Sequence, residues 1–202
     1  PEVNNITHVW DALNNKDKST VVQIAPAVRV ALGEEFGLEA GTVTTGKIVS
    51  ALRLLGFKYV FDTNFGADLT ILEEASEFVH RLNDNSNLPI LTSCCPAWVN
   101  YIEHHYPDLL HLPSSCKSPQ NMFGAMAKHY LAPKMDIEPK DMIVVSVMPC
   151  IAKKYEASRK ELGQDDILDV DISITTRELA NMIKEASIDF LSLEDDNFDN
   201  PM

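Results

Sequence analysis

The chain has no apolar run near the roughly 20 residues that a membrane-spanning helix needs, so it is not expected to cross a bilayer as a helix. Its start, Pro1-Glu2-Val3-Asn4-Asn5, lacks a basic stretch followed by an apolar one, so no secretory signal is visible. Cysteine is scarce: four residues in 202 are too few for a disulfide scaffold. Basic residues are outnumbered, 17 Lys and Arg against 30 Asp and Glu. The resulting net charge of -13 argues against nucleic acid or an anionic membrane as a partner, because both would repel the chain. No repeat period and no low-complexity linker appears. What remains is 45% hydrophobic and 23% charged, the composition of a soluble globular chain with a substantial core. The opening on Pro1 and the abrupt close at Asn200-Pro201-Met202 read as a piece of a longer polypeptide.

Short apolar runs alternate with amphipathic stretches. Residues 21–26, 59–63, 89–93, 142–148 and 171–175 read as strands, from their β-branched or continuous apolar character. Between them, residues 27–36, 44–55, 67–82, 96–106 and 118–131 read as helices, and Thr175-Thr176-Arg177-Glu178 fits a capping box opening a further helix through Ala186. In the 67–82 helix, Leu69, Leu72, Ala75, Val79 and Leu82 form the expected buried side, with Glu74, Glu77 and Arg81 roughly opposite. The acidic tail from Glu194 to Met202 is expected to be exposed. Strands separated by helices predict an α/β fold with a mainly parallel sheet flanked by helices. Ligands of such sheets sit beyond the carboxyl ends of the strands. Pro26, Cys94-Cys95-Pro96 and Pro149-Cys150 would all lie there, on one edge.

Two stretches carry chemistry. In Thr92-Ser93-Cys94-Cys95-Pro96-Ala97-Trp98, adjacent thiols precede a helix, whose positive N-terminal end favours a thiolate and metal ligation. Adjacent side chains diverge, so the two sulfurs can hold different jobs. The plain alternative is two small apolar residues closing a strand. In Met148-Pro149-Cys150-Ile151-Ala152-Lys153-Lys154-Tyr155-Glu156, a thiol ends a buried strand and a lysine follows three residues later. That ammonium can donate to an anionic ligand in a dry site. The alternative is a structural cysteine with two solvated lysines. Glu74, Glu77 and Arg81, three and four residues apart, form either a proton ladder or a solvated face.

Taken together, the two stretches closely resemble the first and second signatures of the iron-only (FeFe) hydrogenases, T-S-C-C-P-x-W and M-P-C-x-x-K-x-x-E. The resemblance extends over nearly the whole chain, including Ala25-Pro26 and Ser114-Ser115-Cys116-Lys117-Ser118-Pro119-Gln120. It implies one lobe of a two-lobed catalytic domain, with residues 1–202 its N-terminal part. It also implies a 4Fe–4S cluster linked to a di-iron centre with carbon monoxide, cyanide and dithiolate ligands, interconverting protons, electrons and dihydrogen. Carried over by position, Cys95 and Cys150 match two ligands of the cubane. Cys94 matches the proton-exchanging thiol, and Lys153 the residue that hydrogen-bonds a cyanide. Ala25, Pro26, Pro119, Gln120 and Met148 match positions lining the di-iron pocket. The implied proton route runs from Cys94 through Glu74 and Ser114 to Glu77, with Arg81 near the surface. Ala27 departs from relatives that have serine there, and Cys116 matches no ligand. A third signature, C-x-x-x-C, which supplies the other two cubane ligands, is missing along with the C-terminal lobe, so this piece alone is not expected to assemble the active site. The resemblance further implies ferredoxin or a similar electron carrier as partner, in an anaerobic cytoplasmic setting. A non-catalytic iron–sulfur-binding relative and a hydrogen-sensing relative are the competing readings.

Overall fold

The structure, a computed structural model, describes residues 3–201; Pro1, Glu2 and Met202, counted above in the start and the acidic tail, lie outside the described residues. Four parallel strands, β1 (Ser19–Ile24), β2 (Tyr59–Asp62), β3 (Met142–Met148) and β4 (Ile172–Thr175), form one sheet in the order β2-β1-β3-β4. The chain leaves β1 to one side for β2 and to the other for β3, so the order reverses between β1 and β3. That reversal opens a crevice at their carboxyl ends.

Strand periodicity sorts the sheet into two faces. Val22, Ile24, Val60, Val145, Val147 and Ile174 pack against α1 (Ile6–Asn14), α3 (Thr45–Leu55) and α9 (Thr176–Glu185). Val21, Phe61, Met142 and Val144 face the other way, against α6 (Pro119–Met126) and the π turn Ala127–Leu131 that carries it into α7 (Ala132–Lys134). The result is three layers, helix on sheet on helix, as the alternating pattern predicts.

Most boundaries fall where the residues dictate. Gly56 ends α3 with φ 107°, a left-handed conformation that glycine adopts without penalty. The capping box opens α9: the Glu178 N–H donates to Thr175 Oγ1, and the Thr175 N–H donates to Glu178 Oε2 at 2.7 Å. Helix α1 was not anticipated, although Ile6, Val9, Trp10 and Leu13 carry the i, i+3, i+4, i+7 spacing that reveals it.

Three expectations are corrected. The helix expected over 27–36 is α-helical only in α2 (Val28–Ala31) and tightens to a 3-10 turn over Leu32–Phe36. Residues 89–93 do not join the sheet. They make a single bridge, with the Leu91 N–H donating to Leu112 O and the Ser114 N–H to Leu91 O at 2.7 Å. The paired cysteines therefore follow a loop. Helix α4 (Asn64–Asn83) is turned about its axis relative to expectation: Leu72, Val79 and Leu82 are more than half exposed, while Gly66 and Thr70 are buried. Gly66 lets α6 approach so closely that a Cβ there would lie 2.3 Å from Pro119 O. The acidic tail is exposed over residues 194–197, as expected, and is also tied down. The Asp199 N–H donates to Val60 O, and the Val60 N–H donates to Asp199 Oδ2 at 2.8 Å, so the tail covers the outer edge of β2. Arg53 pairs with Asp196 and Asp199 from α3.

Candidate active site at the sheet switch point

Ala25 follows β1 and Cys150 follows β3. Because Ile24 sits in register with Val147, the two strand ends lie side by side, with the Ala25 N–H donating to Val147 O at 3.0 Å. Pro26, Ala27, Pro149 and Ile151 are exposed at this edge, and Cys150 is half-buried. Cys94 and Cys95 are both exposed, at the start of α5 (Pro96–His105), with Cys95 as its N-cap and Pro96 in its first turn. Lys153, on α8 (Ala152–Ala157), joins the two segments: its Nζ donates to Cys94 O and to Glu156 Oε2, both at 2.8 Å. The chain brings the two signature loops to one place, although one of them does not end a sheet strand.

Behind Lys153 lies a buried polar network. Gln120 Nε2 donates to Glu156 Oε2 at 3.0 Å and to Lys153 O at 3.3 Å, while Ser146 Oγ donates to Gln120 Oε1 at 2.7 Å. Gln23 Nε2 donates to Gln120 O, and Thr63 Oγ1 donates to Gln23 Oε1. Gln23 and Ser146 are register partners on the face that receives α6. Sequence reasoning missed Gln23, Thr63 and Ser146. A carboxamide in Val21-Val22-Gln23-Ile24 and a hydroxyl in Val144-Val145-Ser146-Val147 were the available signal, since buried polar groups require partners.

Of the expected pocket residues, Ala25 and Met148 are buried in the core beneath the edge, Gln120 is fully buried, Pro119 is half-buried and Pro26 is exposed.

The proposed proton route is joined only in part. Ser114 Oγ donates to Glu77 Oε2 at 2.6 Å, the Ser115 N–H donates to both Glu77 oxygens, and Arg81 Nη2 donates to Oε1 at 2.6 Å. Arg81 also donates to the carbonyls of Asn87, His111, Leu112 and Pro113, fastening the 111–115 segment onto α4. Burial pushes the Glu77 carboxyl up, but the bonds from Ser114, Ser115 and Arg81 outweigh it and hold Glu77 below its ordinary value. Glu74 is half-buried and its side chain makes no hydrogen bond or ion pair among the described residues, so neither Cys94 nor Ser114 is joined to it. Cys116 lies nearby. Burial, then the negative charges of Glu74, Glu73 and Glu77, push its thiol up to about 11.

Among the described residues, no three His, Cys, Asp or Glu side chains are grouped as a metal ion alone would require. A 4Fe–4S cluster needs four thiolates. Cys95 and Cys150 supply soft sulfur donors at one open edge, beside a lysine ammonium suited to an anionic group. Two such thiols are half the number that a 4Fe–4S cluster needs.

Comparison with known proteins identifies the family. Residues 18–202 match the family described as iron only hydrogenase large subunit, C-terminal domain. The NADP-reducing hydrogenase subunit HndD of Solidesulfovibrio fructosivorans is 56% identical over 98% of this chain and 35% of its own length. Iron hydrogenase 1 of Clostridium pasteurianum is 48% identical over all of this chain and 35% of its own. The protein NAR1 of Arabidopsis thaliana is more distant, 35% identical over 92% of the chain and 43% of its own. Among solved structures, an apo FeFe-hydrogenase variant from Chlamydomonas reinhardtii superposes with a TM-score of 0.93 at 46% identity, over 99% of this chain and 52% of that one. The chain spans between a third and about half the length of these relatives. With the match covering nearly all of its residues, the chain belongs to the iron-only hydrogenase large-subunit family.

Proposed function

We propose that the chain is the N-terminal part of the catalytic domain of an FeFe hydrogenase, contributing half of the cubane ligands and the inner part of a proton route. The complete site would hold a 4Fe–4S cubane linked to a di-iron centre with carbon monoxide, cyanide and dithiolate ligands, which supplies the redox chemistry that interconverts protons and dihydrogen. Cys95 and Cys150 would hold two corners of the cubane as thiolates, and the positive end of α5 favours sulfur anions at its N-cap. Lys153 uses two of its three N–H donors on Cys94 O and Glu156, which leaves one for an anionic ligand at the open edge. Cys94 holds an exchangeable proton on Sγ. Ser114 Oγ donates to Glu77, whose carboxylate, kept ionised, would be the outward acceptor of the route; the inner step from Cys94 through Glu74 is proposed from position alone, since no side-chain bond joins it. Ferredoxin or a similar carrier is the proposed electron donor, and the cytoplasm the proposed setting, although one relative, from Nitratidesulfovibrio vulgaris, is named as periplasmic.

The observation that carries this reading is the contact of Lys153 with Cys94 O, which brings two complete signature segments together. Similarity to NAR1 and to cytosolic iron–sulfur assembly component 3 of Mus musculus (34% identical) favours a second, non-catalytic reading. One pair of variants, made in the protein completed by its C-terminal lobe, separates the two. Cys94→Ala is expected to abolish hydrogen turnover with iron content unchanged, and Cys150→Ala to lower iron content itself. Near-normal turnover in Cys94→Ala overturns the proton-donor assignment. Absence of turnover in the completed parent protein favours the second reading.

A further inference from the structure

We propose that Gln120 is a positioning residue for Lys153: it locks the ammonium-bearing turn to the sheet, and does so through a carboxamide whose every polar atom is already engaged inside the protein. The purpose of this device rests on the reading of Lys153 given above; its geometry does not.

Gln120 is 1% exposed. A carboxamide offers two N–H donors and one oxygen. Both donors are taken, by Glu156 Oε2 and Lys153 O, and the oxygen accepts from Ser146. Both N–H donors and one lone pair of the oxygen are thus spent inside the protein, which sets this arrangement apart from the pocket-lining role its position implies in the family. Its orientation is dictated from below. Ser146, in the middle of β3, presents a hydroxyl that donates to the oxygen and so aims the NH2 group at α8. The backbone of Gln120 is gripped as well, because Gln23 donates to its carbonyl while Thr63 holds Gln23. The chain of bonds thus runs from β1 and β3 through α6 to Glu156, and from Glu156 to Lys153 Nζ. Replacing Ser146 by alanine leaves the Gln120 oxygen buried and unpaired, a costly state that favours rotation of the amide away from Glu156.

The test labels lysines of this chain by reductive methylation and reads each site by mass spectrometry. Lys153 is expected to react more slowly than exposed Lys16. In Gln120→Leu its rate is expected to rise about five-fold, the loss of one net hydrogen bond. Lys128, 1% exposed and paired with Asp171, reports whether the fold persists. Ser146 acts only through Gln120, so Ser146→Ala should also raise the Lys153 rate and should add nothing on top of Gln120→Leu. Additive effects, as expected of two unrelated packing losses, overturn the proposal, as does an unchanged Lys153 rate in Gln120→Leu. If Gln120→Leu exposes Lys128, Ser146→Ala alone decides: a faster Lys153 with Lys128 protected supports the proposal, and an unchanged Lys153 overturns it. None of these readings depends on iron or on turnover, so the failure of this proposal and the failure of the hydrogenase reading are told apart.

Discussion

Glu77 sits between a guanidinium, a hydroxyl and a backbone N–H, and all three prefer it charged. Its folded-state carboxyl therefore titrates below its ordinary value of 4.5. A depressed carboxyl contributes stability that is fully present above the unfolded-state value and disappears as pH falls through the folded-state one. Glu77→Gln is expected to cost about 2 kcal/mol at pH 7, the range for hydrogen bonds to a charged group. The difference should shrink below about pH 4.5, as urea unfolding of both proteins across pH would measure. A cost equal at pH 7 and pH 3.5 would show that the carboxylate's charge contributes nothing. Cys116 behaves oppositely. With its thiol pushed up to about 11, it is protonated at neutral pH and should alkylate more slowly with iodoacetamide than exposed Cys94 and Cys95, as peptide mapping would show.

At the scale of elements, α4 is the most instructive. Its apolar stripe, read from spacing alone, was expected to face the core, but Leu72, Val79 and Leu82 are exposed. The reason lies in Arg81, which is drawn inward by three carbonyls of the irregular 111–113 segment and by Asn87 O. Periodicity reports which face is apolar; it does not report that an irregular loop needs a donor, and here the loop's need turns the helix. Strand 89–93 failed similarly, since its β-branched character suits a strand but no neighbour continues the ladder beyond Leu91 and Pro113. By contrast β1, β3, α3 and the α9 capping box were legible, because their signals are local and agree with the packing. The signature segments were legible as residues. The buried Gln23–Gln120–Ser146 network behind them was not, because its members meet only through sheet register and helix packing. Two substitutions test α4. Leu72→Gln and Val79→Gln should each change stability by no more than about 0.5 kcal/mol, as exposed positions do. Gly66→Ala, whose Cβ would meet Pro119 O, should cost about 2 kcal/mol in thermal or urea unfolding, because backbone cannot yield as a flexible side chain does.

For the whole molecule, a four-stranded parallel sheet has two edges, and an uncovered edge invites pairing with another chain. The edge formed by β2 is closed by the tail rather than by a strand. Asp199 supplies one backbone N–H and one carboxylate oxygen to Val60, in the places a neighbouring strand would fill, and Arg53 holds the same carboxylate from α3. Phe198 adds apolar contact with the core and lies near the Arg29 guanidinium. The tail is solvated over residues 194–197, as its composition implies, while Asp196 and Asp199 are matched to one arginine and Asp199 to one sheet edge. Removing the carboxylate leaves the Val60 N–H and the Arg53 guanidinium without that partner together, so Asp199→Ala should destabilise the chain by about 1–3 kcal/mol. Hydrogen exchange resolves where the loss falls. The Val60 amide should exchange roughly ten-fold faster or more, while Val22, central in β1 and paired on both sides, should keep wild-type protection. Equal acceleration at both amides would mean that the tail stabilises the fold globally and does not act as a substitute strand at the β2 edge.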